Sequence, residues 1–446
     1  MSDSPHTEAP RALARVVGLP GAVLLGLGSI LGTGVFVSLG IAAGLVGEGL
    51  VVAVVLAGLL ATANGLSSAQ LAAAHPVSGG TYEYGHRFVH PTAGWAAGWM
   101  FLAAKSASAA TAALGCAGYL LEAFGHGSTS GGYPAARVAL ALFLVAVVTA
   151  LVAGGLRRSN VANAVVVTVT IAALALFVAT GVADIVGRGG AAAGSAGGAA
   201  LGPFGAALAD PMALLHATAL MFVAYTGYGR IATLGEEVRD PGRTIPRAVV
   251  VTLAVSMLIY ASVAVTAVSV FGPRPFAELT LRSAAPLEVL ARSFAGPVVA
   301  SIVALGAVTA MLGVLLNLLL GLSRVLLAMA RRGEMPGGLA AVHAGSASPV
   351  AAVLATGAVV GALALAGDIG LTWSFSAFTV LVYYGLTNLA ALRLRPESRR
   401  FPRWLASGGL VSCLGLAFFV PVSVSAAGLV TLGTGFAVRA VVTGAR

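Results

Sequence analysis

The chain has 446 residues, 58 % hydrophobic and 9 % charged, with a mean hydropathy of +0.97, which excludes a soluble globular domain. Its net charge of +10 would suit a nucleic-acid partner in a soluble protein, but the placement of the charges fits membrane orientation instead. Eighteen arginines fall in tails and loops expected on the cytoplasmic side, against five outside, Arg137, Arg188, Arg274, Arg282 and Arg292, the positive-inside pattern.

Residues 1–19 lack the layout of a cleaved signal peptide and read as a cytoplasmic tail. Apolar runs of roughly 18 to 25 residues then recur along the chain, each long enough to cross a hydrocarbon core of about 30 Å as a helix. Barrel strands would alternate, and these runs do not. The expected class is therefore an all-α, multi-pass membrane protein. Twelve spans are predicted, at 20–44, 49–72, 92–124, 136–154, 160–182, 212–233, 246–271, 293–323, 349–366, 371–392, 404–421 and 423–441. The last two are separated only around Pro421, so a single re-entrant unit is the alternative there. An even number of spans puts both termini in the cytoplasm. Richness in alanine and glycine points to a GC-rich bacterial source and hence to a bacterial plasma membrane.

No soluble domain interrupts the spans. Residues 183–211 read as a Gly/Ala-rich external loop with no core of its own. Cys116 and Cys413 fall inside spans, which argues against a disulfide framework or a metal cluster. With no nucleotide loop and no nucleophile paired to a base, neither an enzyme nor a cofactor is expected.

The first span carries "GSILGTGVF" (Gly28 to Phe36) at its middle, and the sixth carries "MFVAYTGYGRIAT" (Met221 to Thr233). Five spans separate the two, which reverses the direction of crossing. Gly-interrupted spans at matching positions of two opposed halves point to a transporter built from inverted repeats. The repeats would be 20–182 (spans 1–5) and 212–392 (spans 6–10), with 404–441 as an addition. A helix broken at the midplane frees N–H and C=O groups, which cost several kcal/mol each in hydrocarbon unless they meet a partner. A zwitterion supplies one. N–H groups at Thr33 and Gly34, at the positive end of a half-helix, suit a carboxylate. Freed carbonyls near Ile30, Leu31 and in span 6 suit an ammonium, and glycine lets the ligand approach the main chain. Gly28 and Gly32 also form a GxxxG pair, which elsewhere serves only helix packing.

"GSILGTGVF", "PVSGGTYEYG", "FVAYTGYGRIATLGEEVRDPGRTIPRA" and "SRVLLAMARRGEMP" (Ser323 to Pro336), in that order, resemble the signatures of the amino acid, polyamine and organocation transporter superfamily, the amino acid permeases. The resemblance implies the five-plus-five fold of leucine-type symporters, with helices 1 and 6 broken at the midplane, alternating access, and an amino acid or related amine as substrate. It implies that Gly32, Thr33 and Gly34 surround the carboxylate. Main-chain atoms near Ile30, Phe222, Ala224 and Tyr225 would take the amine, and span 6 near Thr226 and Gly227 would shape the specificity pocket. Proton-coupled secondary transport is the leading expectation; an exchanger or exporter on the same fold, or a sodium-coupled symporter, is the alternative.

One departure stands out. Where proton-coupled permeases of this kind carry a lysine in span 5, this chain has Thr170, and its only lysine is Lys105 in span 3. Lys105 lies about ten residues beyond Trp95, roughly 15 Å deep at 1.5 Å per residue, level with both glycine interruptions. A cation there costs roughly 2.5 to 3.5 kcal/mol, so Lys105 either couples proton movement to transport or braces freed carbonyls. Ser301, Thr309 and Ser323 are too far apart to make an obvious sodium site, which needs converging oxygens. Arg230, three residues past Gly227, either pairs with Glu236 or Glu237 as part of a cytoplasmic gate or reads an acidic substrate side chain. His216, Tyr119, Tyr260, Tyr383 and Tyr384 read as interface anchors or packing groups.

Overall fold

A computed structural model describes residues 17–76, 79–127, 132–156, 160–188, 202–232, 238–343 and 348–444. Glu236 and Glu237 lie outside the described residues, as do residues 189–201 of the loop 183–211.

The first expected span is interrupted. Helix α1 (Leu19–Ile30) ends at Leu31, whose φ of −73° and ψ of 104° leave the helical region. The chain resumes as a π-helical turn over Gly34–Ser38 and then α2 (Leu39–Val46). Val35 and Phe36 both return their N–H groups to the Gly32 carbonyl. Then come α3 (Leu50–Ala74), the short α4 (Thr81–Phe88), α5 (Pro91–Ala123), α6 (Tyr133–Ala153) and α7 (Asn160–Gly187). A further short helix, α8 (Gly202–Ala209), lies in the connector expected to have no core. Its Ala207 is buried against Gly49, so this end of the connector packs on the protein.

The second interruption is milder than expected. Helix α9 (Pro211–Tyr225) runs into a 3-10 turn, Thr226–Tyr228, and on into α10 (Gly229–Ala232). Tyr225, Thr226 and Gly229 keep right-handed backbone angles, so span 6 tightens here where a full gap was anticipated. After α11 (Pro241–Phe271) and α12 (Pro273–Ser283), α13 (Pro286–Arg331) bends at Gly296, whose φ of 84° no helix accommodates. The expected eighth span corresponds to the part after that bend. The chain ends with α14 (Val350–Ala364), α15 (Ile369–Leu392), α16 (Arg403–Ala417) and α17 (Val422–Gly444).

Local chemistry sets several starts. Pro at the first position follows a capping side chain at α5, where His90 accepts from the Thr92 N–H, and at α9, where Asp210 accepts from Ala213. Eight helical stretches among the described residues are long and apolar enough to cross a membrane. They differ in depth of packing: α5 is buried over 89 % of its best apolar window and α17 over 11 %. The reason is legible in α5, where Ala104 to Gly118 is nearly all alanine, serine, threonine and glycine. Small side chains let neighbouring helices close in around it, so α5 runs through the middle of the molecule and brings Lys105 to the two interruptions.

Candidate functional site

The two interruptions lie against each other. A Cβ on Gly227 would overlap the Ser29 carbonyl and stand 2.7 Å from Ile30 Cγ1. A Cβ on Gly34 would stand 2.8 Å from Ala224 Cβ and 2.6 Å from the Tyr260 hydroxyl. Only glycine permits that approach. Tyr260, on α11, donates its hydroxyl towards the carbonyls of Ile30 (2.8 Å) and Ala224 (3.1 Å), so one side chain serves a main-chain acceptor on each interrupted span. Tyr384, on α15, donates to the Thr226 carbonyl at 3.1 Å. The sequence reads both tyrosines as interface anchors or packing groups; their only signal is a polar group inside an apolar span.

A cavity of about 260 Å³ opens where the interruptions meet. Ile30, Thr33 and Gly34 line it from α1 and the turn beyond, Ala224, Thr226 and Gly227 from the end of α9, and Lys105 from α5. Arg230 lines it too, as does Arg324, which the sequence had placed simply among the cytoplasmic charges. Gly32, Phe222 and Tyr225, the last two expected to act through main-chain atoms, are not among the cavity's lining residues. Gly32 packs on Val314, the Phe222 ring meets the edge of Tyr384 at 5.6 Å, and the Tyr225 hydroxyl donates to Val54 O at 3.1 Å. The partners expected for Arg230, Glu236 and Glu237, lie outside the described residues.

Two polar groups in the cavity wall have unusual surroundings. Thr33 is 4 % exposed and its hydroxyl finds no hydrogen-bond partner among the described residues, a state that costs free energy unless a ligand relieves it. Lys105 is 8 % exposed and donates from Nζ to Thr226 Oγ1 at 2.8 Å; Thr226 in turn donates to Val223 O at 2.8 Å. Thr170 faces away, with its hydroxyl bonded to Val166 O at 2.8 Å. The hydroxyls of Ser301, Thr309 and Ser323 all donate to carbonyls of their own helix, to Pro297, Leu305 and Leu320 respectively.

The family model described as "Amino acid permease" matches residues 21–444. The chain belongs to the amino acid permease family. An uncharacterized transporter of Mycobacterium tuberculosis is 41 % identical over 439 residues, which is 98 % of this chain and 94 % of the relative. The branched-chain amino acid permease BcaP of Bacillus subtilis is 27 % identical, over 92 % of this chain and 87 % of its own. The vacuolar cationic amino acid transporter 4 of Arabidopsis thaliana is 25 % identical, over 88 % and 66 %. Family and relatives are transporters, not enzymes.

In this permease the cavity extends past Gly79, Gly80, Val325 and Ala328 towards the end of the molecule that carries α4. There Glu334 gathers three side chains from two helices. It accepts from Tyr82 of α4 at 2.6 Å, lies 3.2 Å from His86 Nε2, and accepts from Arg439 of α17 at 3.1 Å. Burial alone would raise its carboxyl, but the hydrogen bonds from His86 and Tyr82 and the charges of His86 and Arg439 outweigh that and hold it below the usual carboxylate range. The opposite end is closed. The Tyr119 hydroxyl of α5 donates to Phe36 O at 3.0 Å and accepts from the Leu287 N–H of α13 at 3.3 Å. A Cβ on Gly118 would come within 2.6 Å of Ser283 O at the end of α12.

Proposed function

We propose that this permease is a secondary active transporter of amino acids that works by alternating access, with the substrate held where the turn after α1 meets the 3-10 turn after α9. The observation that carries the reading is the contact of Gly34 and Gly227 with the opposite interruption, beside a cavity whose wall includes the unpartnered Thr33 hydroxyl. The substrate carboxylate is read by Thr33 and Gly34, and its ammonium by carbonyls near Ile30 and Ala224, each of which keeps a second lone pair beside the Tyr260 bond. Twelve spans in a five-plus-five inverted arrangement, both termini in the cytoplasm of a bacterial plasma membrane, make the α4 end the cytoplasmic one and the cavity inward-facing.

The coupling ion in this reading is a proton, carried by Lys105. Its bond to Thr226 joins α5 to the tightened turn of span 6, so loss of the proton alters the side of the cavity that a substrate touches. Ser301, Thr309 and Ser323, committed to their own helix, leave little for a sodium ion. The test is uptake of radiolabelled amino acids by liposomes holding the purified protein, with and without an imposed proton gradient. Uptake of none of the twenty amino acids, with or without preloaded amino acid inside, overturns the reading.

A further inference from the structure

The polar make-up of the cavity wall bears on which substrates it accepts. Three cationic side chains, Lys105, Arg230 and Arg324, line the cavity, and no carboxylate does so among the described residues. Lys105 is the deepest of them: its Nζ is bonded to Thr226, next in sequence to the Gly227 that touches span 1. Apolar side chains, among them Ile30, Val223, Val314, Leu318 and Trp373, share the wall with the uncharged polar groups of Ser29, Thr33, Ser108 and Asn317. The indole N–H of Trp373 is already spent on Leu220 O at 3.0 Å, so this ring offers a substrate side chain only its apolar surface.

We infer that Lys105 is a charge filter: its ammonium, set in a wall with no carboxylate among the described residues, makes the site select amino acids with uncharged side chains and reject dibasic amino acids and polyamines. The inference rests on the substrate site proposed above. A ligand lying against Thr226 and Gly227 is close to the ammonium, and a second ammonium on its side chain would meet a like charge with no acid in the described wall to offset it. At a separation of roughly 5 Å and an effective dielectric of about 20, such repulsion is worth roughly a hundredfold or more in affinity. An aliphatic side chain meets no such term and gains from apolar burial.

Norleucine and lysine differ at the end of the side chain by a methyl against a methylammonium group and are the probes. Affinities of the full-length protein for both are measured by calorimetry in detergent or nanodiscs, for wild type, Lys105→Met, Lys105→Gln and Lys105→Arg. Wild type and Lys105→Arg are expected to favour norleucine by about a hundredfold, and the two uncharged variants to bring the ratio within about tenfold. Wild-type affinities within threefold of each other overturn the filter, as does a ratio that stays near a hundredfold in the folded uncharged variants. Should those variants fail to fold, the comparison of wild type with Lys105→Arg decides, since a ratio lost on keeping the charge assigns the selection to shape. Binding of neither probe nor of any other amino acid is a different result, and removes the substrate site itself.

Discussion

The hydroxyl of Tyr260 stands 2.8 Å from the carbonyl of Ile30, the last residue of α1 before the chain leaves the helix. It also reaches Ala224, 3.1 Å away, across the interface between the two interrupted spans. Losing a buried hydrogen bond is costly, and Tyr260→Phe removes the donor that both carbonyls share. Its apparent affinity for substrate is expected to fall by about tenfold, roughly 1.4 kcal/mol, measured as the concentration giving half-maximal uptake into liposomes. Unchanged affinity would mean that the hydroxyl merely packs there.

Gly227 is the least replaceable of the site glycines. In Gly227→Ala the new methyl overlaps main-chain atoms of Ser29, which cannot rotate away. In Gly32→Ala it meets the side chain of Val314, which has some room to adjust. Ligand-induced thermal stabilisation is expected to vanish in Gly227→Ala and to persist, reduced, in Gly32→Ala. Equal behaviour of the two would show that contact between the interruptions is not what the glycines serve.

Lys105→Ala and Lys105→Arg separate proton coupling from bracing. If the amine carries the coupled proton, Lys105→Ala loses the stimulation of uptake by an imposed proton gradient, while counterflow between preloaded and external amino acid survives. Lys105→Arg, which does not release its proton in this pH range, is expected to lose the stimulation too. A gradient response that persists in both variants sinks the coupling.

Glu334 gives a pH-dependent prediction. Because its partners hold the carboxyl below the ordinary range, its stabilising contribution is complete above the pH at which that carboxyl titrates in the unfolded chain. It is lost as pH falls through the lower folded-state value. Glu334→Gln is expected to cost about 1–3 kcal/mol near neutrality, and the difference from wild type in thermal unfolding to shrink below about pH 4. A difference that grows on acidification would contradict the assignment.

Much of this architecture is legible in the sequence because hydropathy and glycine placement are coarse, local signals. Several predicted spans have a helix at nearly the same residues, as with 92–124 against Pro91–Ala123, and the glycine-rich stretches at Gly32 to Gly34 and Thr226 to Gly229 do mark the interruptions. What stayed hidden depends on tertiary contact. The contact of Ser29 and Ile30 with Gly227 joins segments far apart in the chain, which no window of sequence contains. Tyr260 and Tyr384 look like any other membrane tyrosines until α11 and α15 are set beside the turns. Phe222 and Tyr225 sit among the cavity-lining Val223, Ala224, Thr226 and Gly227, and a motif alone does not say which side chains of so short a stretch face the cavity. Lys105 was visible because a single lysine in an apolar chain has no background against which to be lost.

Tyr119 ties two closures into one. The same phenol oxygen that gives its proton to Phe36 receives the amide of Leu287, and those two main-chain groups belong to the part of span 1 beyond its break and to the head of α13. Displacing either leaves the buried phenol one hydrogen bond short, a loss of about 1 kcal/mol, so one oxygen holds the seam between these two segments from both sides.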